Sequence, residues 1–340
     1  MVLAVLIPLG IGFWGAQRYN HIEQTLENSP SYRIAQLQYG DTMSERLSRP
    51  FCEGFYEWVN STKQIQKGSV DLVVWAEGAV PYAMNAPLPR QPPRIQGESC
   101  TTPQNPAEIV RTLAIEGGFD IMVGAGSIEP WPIQPGQTEF TQYNSMYYVT
   151  ATGEELPRYD KMVPLPFGEY IPLSRFFPFI REWIRGPGNF QAGTEARVFT
   201  GTNARIAAPI CYEAILPGIC RKYPTPDLLV NTTNDGWFGD TAAPHQHAML
   251  SAARSIELGI PVYRSAYSGI SMLVEPHGKI VAETKPFEDV ARMVRVRLHR
   301  VPTVYAALSS YGLHDWFVWL CGLILIGGVG LGPWYQKRRL

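Results

Sequence analysis

The chain has 340 residues, of which 45% are hydrophobic and 17% are charged, and its 29 basic and 30 acidic residues give a formal net charge of -1. This length allows one large domain with additions or two ordinary domains, and the composition indicates a globular protein with membrane-like segments attached. The balanced charge offers no basic excess for nucleic acid and no acidic tail.

The N-terminal segment, residues 1–17, carries no charged side chain. Its length is at the short end for a helix that crosses a hydrocarbon core of about 30 Å. A cleaved signal peptide is the alternative, but no basic segment precedes the apolar run and no clean small-x-small cleavage site follows it. Trp14 suits an interfacial position. We therefore predict an uncleaved transmembrane anchor over residues 1–22.

Strand-like and helix-like segments alternate through the body of the chain. Short apolar runs predict strands at 32–38, 71–75, 120–126, 142–150, 154–159, 207–211, 228–231, 262–264 and 270–274. Helical spacing predicts helices at 41–66, 106–116 and 245–258. The Pro-, Asn- and Gln-rich stretch 83–106 is predicted to be irregular. This alternation predicts a single α/β or α+β domain over residues 29–300 with a substantial sheet.

The C-terminal apolar segment, residues 316–335, also lacks charged side chains, has aromatic residues at both ends and precedes a Lys-Arg-Arg cluster. About twenty apolar residues meet the length of a bilayer-spanning helix. We predict a transmembrane helix over 315–335 and a basic tail over 336–340 that lies in the cytoplasm. With one span at each end, the domain between them faces the periplasm from the inner membrane of a Gram-negative bacterium.

The five cysteines do not indicate a disulfide framework in a chain of this size, and none of their spacings is typical of a metal site. Cys321 lies in the C-terminal apolar segment. In the periplasm Cys52 and Cys100 could pair, although the sequence alone does not establish the bond.

Cys211 ends a short apolar run. A buried thiol is more often a packing residue than a nucleophile. Glu77 follows the Val-Val-Trp strand, and Lys161 lies in a loop with several Gly and Pro residues. A carboxylate base, an ammonium and a thiol form a workable set for acyl transfer, but their spacing in the sequence does not bring them together.

These three segments occur in the order of the Glu-Lys-Cys triad of the nitrilase, or carbon–nitrogen hydrolase, superfamily, which the chain resembles from about residue 30 to residue 300. Within it, several motifs are similar to those of the apolipoprotein N-acyltransferases: Val-Trp-Ala-Glu-Gly-Ala-Val-Pro at 74–81, Pro-Phe-Gly-Glu-Tyr-Ile-Pro-Leu at 166–173, Ile-Cys-Tyr-Glu at 210–213, Asn-Asp-Gly-Trp-Phe-Gly at 234–239, Pro-His-Gln-His at 244–247 and Ala-Arg-Ser-Ile-Glu at 253–257. The resemblance implies a nitrilase-type αββα sandwich, here flanked by the two predicted transmembrane helices, and no cofactor.

The resemblance also implies roles for the triad. Glu77 would be the general base, Lys161 the cation that stabilises the oxyanion of the tetrahedral intermediate, and Cys211 the nucleophile.

Four further residues are assigned by the same resemblance. Glu169 and Glu213 match carboxylates that shape the site and hold the lysine, whereas Tyr212 and Trp237 are assigned to the substrate pocket. For Glu213 a structural salt bridge to Arg254 is an almost equal alternative, because bidentate arginine pairing is a common use of such carboxylates.

His245 and His247 offer no convincing metal site. Residues two apart share a face of a strand but not of a helix, and no third ligand is evident. We expect structural hydrogen bonding there and no bound metal.

The sequence also departs from the family pattern. Ala76 replaces the usual proline before the base, and Tyr39-Gly40-Asp41 does not reproduce the family's Gln-Gly-Asn motif. The full-length acyltransferases have several more membrane helices before the catalytic domain, and this chain begins at what would be the last of them. It also resembles the short, membrane-anchored TraB proteins of conjugal-transfer systems.

The resemblance implies a membrane-anchored N-acyltransferase, with a phospholipid as acyl donor and the N-terminal amine of an apolipoprotein as acceptor. One alternative is an amidase, or a TraB-like enzyme of conjugal transfer, that acts on another substrate. A second is a membrane-bound scaffold that has kept the fold without the chemistry.

Overall fold

The structure is a computed structural model that describes residues 2–85, 105–134, 137–174, 176–177, 179, 189–310 and 319–326. Its helices include α1 (Val2–Glu27), α2 (Met43–Ser48), α3 (Phe51–Lys63), α4 (Pro106–Gly117), α5 (Pro217–Cys220), α6 (Ala243–Leu258) and α7 (Val304–Ser310). Its strands are β1 (Ser31–Gln38), β2 (Leu72–Ala83), β3 (Asp120–Gln134), β4 (Gln137–Val149), β5 (Glu155–Asp160), β6 (Val198–Thr200), β7 (Arg205–Ala207), β8 (Leu228–Thr233), β9 (Val262–Ala266), β10 (Met272–Val274), β11 (Ile280–Glu283) and β12 (Val290–Arg297). Two 3₁₀ turns cover Cys211–Ile215 and Asp235–Phe238.

Two six-stranded sheets form the centre of the fold, with the strand orders β12-β1-β2-β3-β4-β5 and β11-β10-β9-β8-β7-β6. In the first sheet β1, β2 and β3 run parallel, and in the second β7, β8 and β9 do. Parallel neighbours require a crossover connection. Helices α3 and α4 lie in the crossovers of the first sheet, and α5 and α6 lie in those of the second.

The alternation of side chains along a strand explains the layers. On β2, Leu72 and Val74 point toward the second sheet and join the core between the sheets. Val73 and Trp75 point the other way, into a core shared with α3 and α4. A strand that is buried on both faces therefore reads as a continuous apolar run.

The second sheet is covered in the same way. Leu229 and Val262 pack with Ala248 and Ala252 of α6. The layers thus run helices, sheet, sheet, helix. The predicted αββα sandwich is confirmed. The strands predicted at 142–150 and 154–159 correspond to β4 and β5, which pair antiparallel.

The helix predicted over 41–66 is in fact two helices. The chain leaves helical geometry at Arg49, and Pro50 precedes the first residue of α3. A proline inside a helix removes a hydrogen bond and clashes with the preceding turn. Thr42 begins α2 with a capping box that it shares with Glu45.

The N-terminal helix α1 packs on the domain near its C-terminal end. Ile22 and Leu26 form a small buried cluster with Val301. No helix in the described residues combines the length and apolarity needed to cross a membrane. Of the predicted span over 315–335, only residues 319–326 are described, and they are helical.

Cys52, which is buried on α3, is disulfide-bonded. Cys100, its possible partner from the sequence, lies outside the described residues, as does most of the predicted irregular stretch 83–106. Cys211, Cys220 and Cys321 are free thiols.

Candidate active site

Glu77 lies inside strand β2 rather than after its end. The pairing of β2 with β3 is regular up to Trp75 and resumes, shifted, at Val80. Such an irregularity re-aims the side chains within it. Gly124 of β3 makes room for it, because a Cβ there would lie 2.4 Å from the carbonyl oxygen of Ala76 and 2.8 Å from the Cα of Glu77.

The Glu77 carboxylate is held from two sides. Asn144 on β4 donates its side-chain Nδ2 to Glu77 Oε1 at 2.7 Å. The backbone N–H of Asn234, which follows β8, donates to Oε2 at 2.9 Å. The base is therefore fixed by both sheets at once.

Lys161 follows the last residue of β5 and is only 1% exposed. Its Nζ lies 2.8 Å from Glu169 Oε2 and 3.4 Å from Glu77 Oε1. Burial lowers the pKa of Lys161, but the attraction of Glu77, Cys211 and Glu169 outweighs it and leaves that pKa well above the usual value. The side chain is therefore a permanent buried cation.

Glu169 completes a compact cluster of charges with these two residues. Its Oε1 accepts from Asn144 Nδ2 at 2.6 Å, so one amide bridges both carboxylates. Its Oε2 accepts from the backbone N–H of Leu165 at 2.7 Å, which closes the loop that follows the lysine. The Glu169 carboxylate is therefore in direct contact with the lysine ammonium.

The sequence predicted that Cys211 ends a strand, but in the structure it does not. Strand β7 ends at Ala207, and Ile210 makes only an isolated bridge to Thr232. Cys211 begins the 3₁₀ turn, with φ at 51°. This left-handed conformation is costly for a residue with a Cβ and is typical of functional sites.

The thiol of Cys211 lies in the electrostatic field of the other two triad residues. Burial raises the pKa of Cys211 to about 12, the Glu77 carboxylate also raises it, and Lys161 lowers it. The residue is 9% exposed. At neutral pH the sulfur is therefore protonated and needs a base. The structure thus brings Glu77, Lys161 and Cys211 together from three distant segments.

Glu213 acts on the backbone rather than on the lysine side chain. Its Oε1 accepts the N–H groups of Met162 and Val163 at 2.7 and 2.9 Å. Its Oε2 accepts from Tyr159 Oη and the Ile210 N–H, both at 2.8 Å. It therefore ties the segment around Lys161 to the residue before Cys211.

The salt bridge considered between Glu213 and Arg254 is not formed in the described structure. Arg254 pairs with Glu257 at 2.7 Å and donates to the carbonyl of Ile215 at 2.9 Å. The buried carboxylate of Glu213 has a raised pKa, because desolvation outweighs its hydrogen bonds.

The two residues assigned to the substrate pocket differ in exposure. Tyr212 is half-buried against the core between the sheets. Trp237 is 69% exposed on the second 3₁₀ turn. Beside the lysine loop lies a cavity of about 450 Å³. Its mainly apolar lining includes Val163, Tyr170, Ile171, Leu173 and Phe176.

The histidines considered as metal ligands lie on helix α6. His247 is buried and its Nδ1 lies 3.0 Å from Asp235 Oδ1, whereas His245 is exposed. A different group, Glu23, Glu275 and His277, brings three ligand atoms within 4.8 Å of one another.

Basic side chains already engage both carboxylates of that group. Lys279 Nζ lies 2.7 Å from Glu23 Oε1, and Arg297 Nη2 lies 2.5 Å from Glu275 Oε1. We interpret the group as an ion-pair cluster that fastens α1 to the domain.

Two site residues were not identified from the sequence. Asn144 bridges Glu77 and Glu169, and its only local signal is an asparagine within a strand, where this residue type is rare. Asn234 belongs to the Asn-Asp-Gly-Trp-Phe-Gly motif, which predicts no role for it. Its contribution comes from the backbone, which carries no side-chain signal.

Sequence comparisons show which known proteins the chain resembles. The sequence model for carbon-nitrogen hydrolase matches residues 34–304. An apolipoprotein N-acyltransferase of Geobacter metallireducens is 30% identical over 315 residues, which cover 92% of this chain and 52% of the relative. One of Agrobacterium fabrum is 36% identical over 226 residues, covering 62% of this chain and 37% of the relative. The chain spans about half the length of such relatives.

Solved structures show a similar fold. An amidase of the nitrilase superfamily from Nesterenkonia superposes with a TM-score of 0.53 at 17% identity, covering 84% of this chain and 97% of the amidase. A CN-hydrolase superfamily protein of Xanthomonas campestris, with an arsenic adduct in its active site, has a TM-score of 0.53 at 16% identity, covering 83% and 94% of the two chains.

Proposed function

Because the chain belongs to the carbon–nitrogen hydrolase family, we propose that it is a membrane-anchored N-acyltransferase. It moves an acyl chain from a phospholipid, through a thioester on Cys211, to the N-terminal amine of an apolipoprotein. The observation that carries this proposal is the convergence of Glu77, Lys161 and Cys211 in a chain whose relatives are named apolipoprotein N-acyltransferases.

In the first half-reaction the thiol attacks the ester carbonyl of the lipid. Glu77 takes the thiol proton as the sulfur–carbon bond forms, and Lys161 stabilises the oxyanion. The carbon–oxygen bond of the ester then breaks, and the leaving alkoxide takes the proton from Glu77. The products are the thioester and a lysophospholipid.

In the second half-reaction the acceptor amine attacks the thioester carbonyl. Glu77 accepts a proton from the attacking nitrogen, the nitrogen–carbon bond forms, and the sulfur–carbon bond breaks. The thiolate then recovers its proton from Glu77, so the enzyme ends unchanged. A thiol suits both steps, since sulfur is a good nucleophile and later a good leaving group.

Two features support a lipid donor. The residues that directly follow Lys161 in the chain line the cavity of about 450 Å³, whose mainly apolar lining suits an acyl chain. Helix α1 exposes Leu9, Ile11, Phe13 and Trp14 around its surface, and several large exposed apolar side chains on one helix are typical of contact with a membrane or a partner.

We place the domain in the periplasm, with residues 1–22 and 315–335 as anchors in the inner membrane. The basic cluster after the second apolar segment supports this orientation. The disulfide of Cys52 supports an oxidising compartment.

The test is to follow the acyl group. The purified protein is incubated with phospholipid and a diacylated lipopeptide, and mass spectrometry is used to detect an acyl adduct on Cys211 and then N-acylated peptide. Release of free fatty acid or ammonia without N-acylation would support the amidase alternative. Absence of any adduct, with a Cys211→Ala variant that keeps its phenotype in conjugation, would support the scaffold.

A further inference from the structure

A buried guanidinium lies beneath the candidate site and takes no part in the steps above. Arg264, on β9, is 0% exposed. It donates from Nη1 to Asn231 Oδ1 at 2.7 Å, from Nη2 to Asp235 Oδ2 at 2.5 Å and from Nε to the carbonyl of Ile270 at 3.1 Å. A buried charge is tolerated only when it is paired and hydrogen-bonded in this way.

The first branch of this network leads to the nucleophile. Arginine can only donate, so Oδ1 of Asn231 faces Arg264 and its Nδ2 faces the opposite side. That Nδ2 donates to the carbonyls of Pro209 at 2.9 Å and Cys211 at 3.1 Å. The amide thus clamps the backbone on both sides of the turn into Cys211, whose φ is 51°. Such a strained backbone conformation persists only when the surrounding contacts hold it in place.

The second branch leads to the base. Asp235 accepts from Arg264, from Thr233 Oγ1 at 3.0 Å, and lies 3.0 Å from His247 Nδ1. The neighbouring residue, Asn234, donates its backbone N–H to Glu77 Oε2. Fixing Asp235 therefore fixes the peptide that orients the Glu77 carboxylate.

We propose that Arg264 is a positioning residue that sets the placement of the Cys211 sulfur relative to the Glu77 carboxylate. One planar guanidinium reaches both branches, because its fork of donors points in two directions at once. A lysine ammonium would keep the charge beside Asp235 but could not supply the same fork. This inference rests on the proposed cysteine chemistry.

The test measures the rate at which iodoacetamide alkylates Cys211 as a function of pH. Mass spectrometry of the peptide that contains Cys211 quantifies the alkylation. Arg264→Lys should slow alkylation at neutral pH by about tenfold or more, which corresponds to about 1.4 kcal/mol. The dependence of the alkylation rate on pH in Arg264→Lys should move toward that of the Glu77→Gln variant. With the lipid assay, kcat should fall by a similar factor while KM for the phospholipid stays within about twofold.

Arg33→Lys is the matched control. Arg33 also pairs with a carboxylate, Asp71, at 2.9 Å, but at the start of β1 away from the site. Its alkylation profile should equal that of the unchanged protein. If Arg264→Lys lowers only the melting temperature and leaves the profile of the folded protein unchanged, Arg264 is merely structural and the proposal is wrong.

A second variant covers the case in which Arg264→Lys does not fold. Asn231→Ala cuts the first branch alone and should move the alkylation profile in the same direction; an unchanged profile would overturn the proposal. Alkylation needs no lipid. Failure of N-acylation by the unchanged protein would therefore count against the proposed function and leave this test intact.

Discussion

Cys211 and Cys220 are two buried thiols in the same stretch of chain, and burial raises the pKa of each to about 12. Their neighbours differ. Cys211 has the Glu77 carboxylate and the Lys161 ammonium beside it. Cys220 directs its Sγ to the backbone carbonyls of Glu213 and Ala214, at 3.5 and 3.8 Å, and packs in the core beneath α6.

This comparison teaches that burial alone does not make a cysteine reactive. Both thiols are protonated at neutral pH, and charged groups act on both. Near Cys220, however, Glu213 is occupied by backbone N–H groups and Arg254 is paired with Glu257. Beside Cys211, Glu77 can take the thiol proton and Lys161 can stabilise the charge that develops. The left-handed backbone at Cys211 is a second difference, since Cys220 closes an ordinary short helix.

The largest expected effect comes from removing each thiol in turn. Cys211→Ala should lower N-acylation by a factor of about 10⁴ or more, because the covalent intermediate cannot form. Cys220→Ala should keep activity within about twofold, since a free buried cysteine behaves as a small hydrophobe. Mass-spectrometric quantification of N-acylated lipopeptide measures both. An equal loss of N-acylation in the two variants would contradict the assignment of Cys211, and not Cys220, as the nucleophile.

The next effect concerns the base. Glu77→Gln should slow both N-acylation and alkylation of Cys211 by about 10²–10⁴, which is the usual contribution of a general base. Labelling of Cys220 should be unchanged, because Glu77 does not act on that thiol. Peptide-resolved alkylation with iodoacetamide compares the two sites in one sample. Faster labelling of Cys220 in the variant would point to unfolding, because unfolding exposes that buried thiol.

The cation should contribute somewhat less. Lys161→Met removes the ammonium that faces the oxyanion, and we expect N-acylation to fall by about 10²–10³. Lys222 is an exposed lysine close to Cys220 in the chain. Lys222→Met is therefore the matched control and should leave N-acylation unchanged. Single-turnover measurement of thioester formation checks this, and undiminished formation in Lys161→Met would assign the oxyanion to another group.

The smallest effect is on stability at alkaline pH. The pKa of each thiol rises from 9.0 in the unfolded reference to about 12 in the fold. Above pH 9 the unfolded chain therefore binds fewer protons, so the free energy of unfolding falls as pH rises, by at most about 1.4 kcal/mol per pH unit for each thiol. The contribution is fully present below pH 9.

Urea denaturation between pH 8 and pH 11 measures that slope. Cys220→Ala and Cys211→Ala should each make it shallower by a similar amount, even though only one of them loses activity. A slope that stays the same in both variants would show that the thiols ionise alike in the folded and unfolded chains.

Much of the fold could be predicted because its signals are local. The apolar runs of β2 and β8 and the helical spacing of α6 are visible in short windows. Strand β12 was not predicted, because it is largely exposed and contains several arginines. It forms through pairing with β1, which lies more than 250 residues earlier in the chain.

The site was only partly predictable. Resemblance supplied Glu77, Lys161 and Cys211, and the structure brings them together. It did not supply Asn144 as the bridge between two carboxylates. It assigned Glu213 to shaping the site and holding the lysine, and the structure adds that this carboxylate binds backbone N–H groups on either side of the site. The break at Pro50 was missed, since one helix was predicted over 41–66, although a proline inside a helical pattern is a local signal for a helix end.

The sequence by itself determined which chemical groups are available, a carboxylate, an ammonium and a thiol, and which apolar runs build the two sheets. Only the tertiary structure decided what each group does. Glu77 receives its hydrogen bonds from residues 67, 84 and 157 positions away. Hydrogen-bond direction and local charge depend on such long-range neighbours, which a window of sequence does not contain.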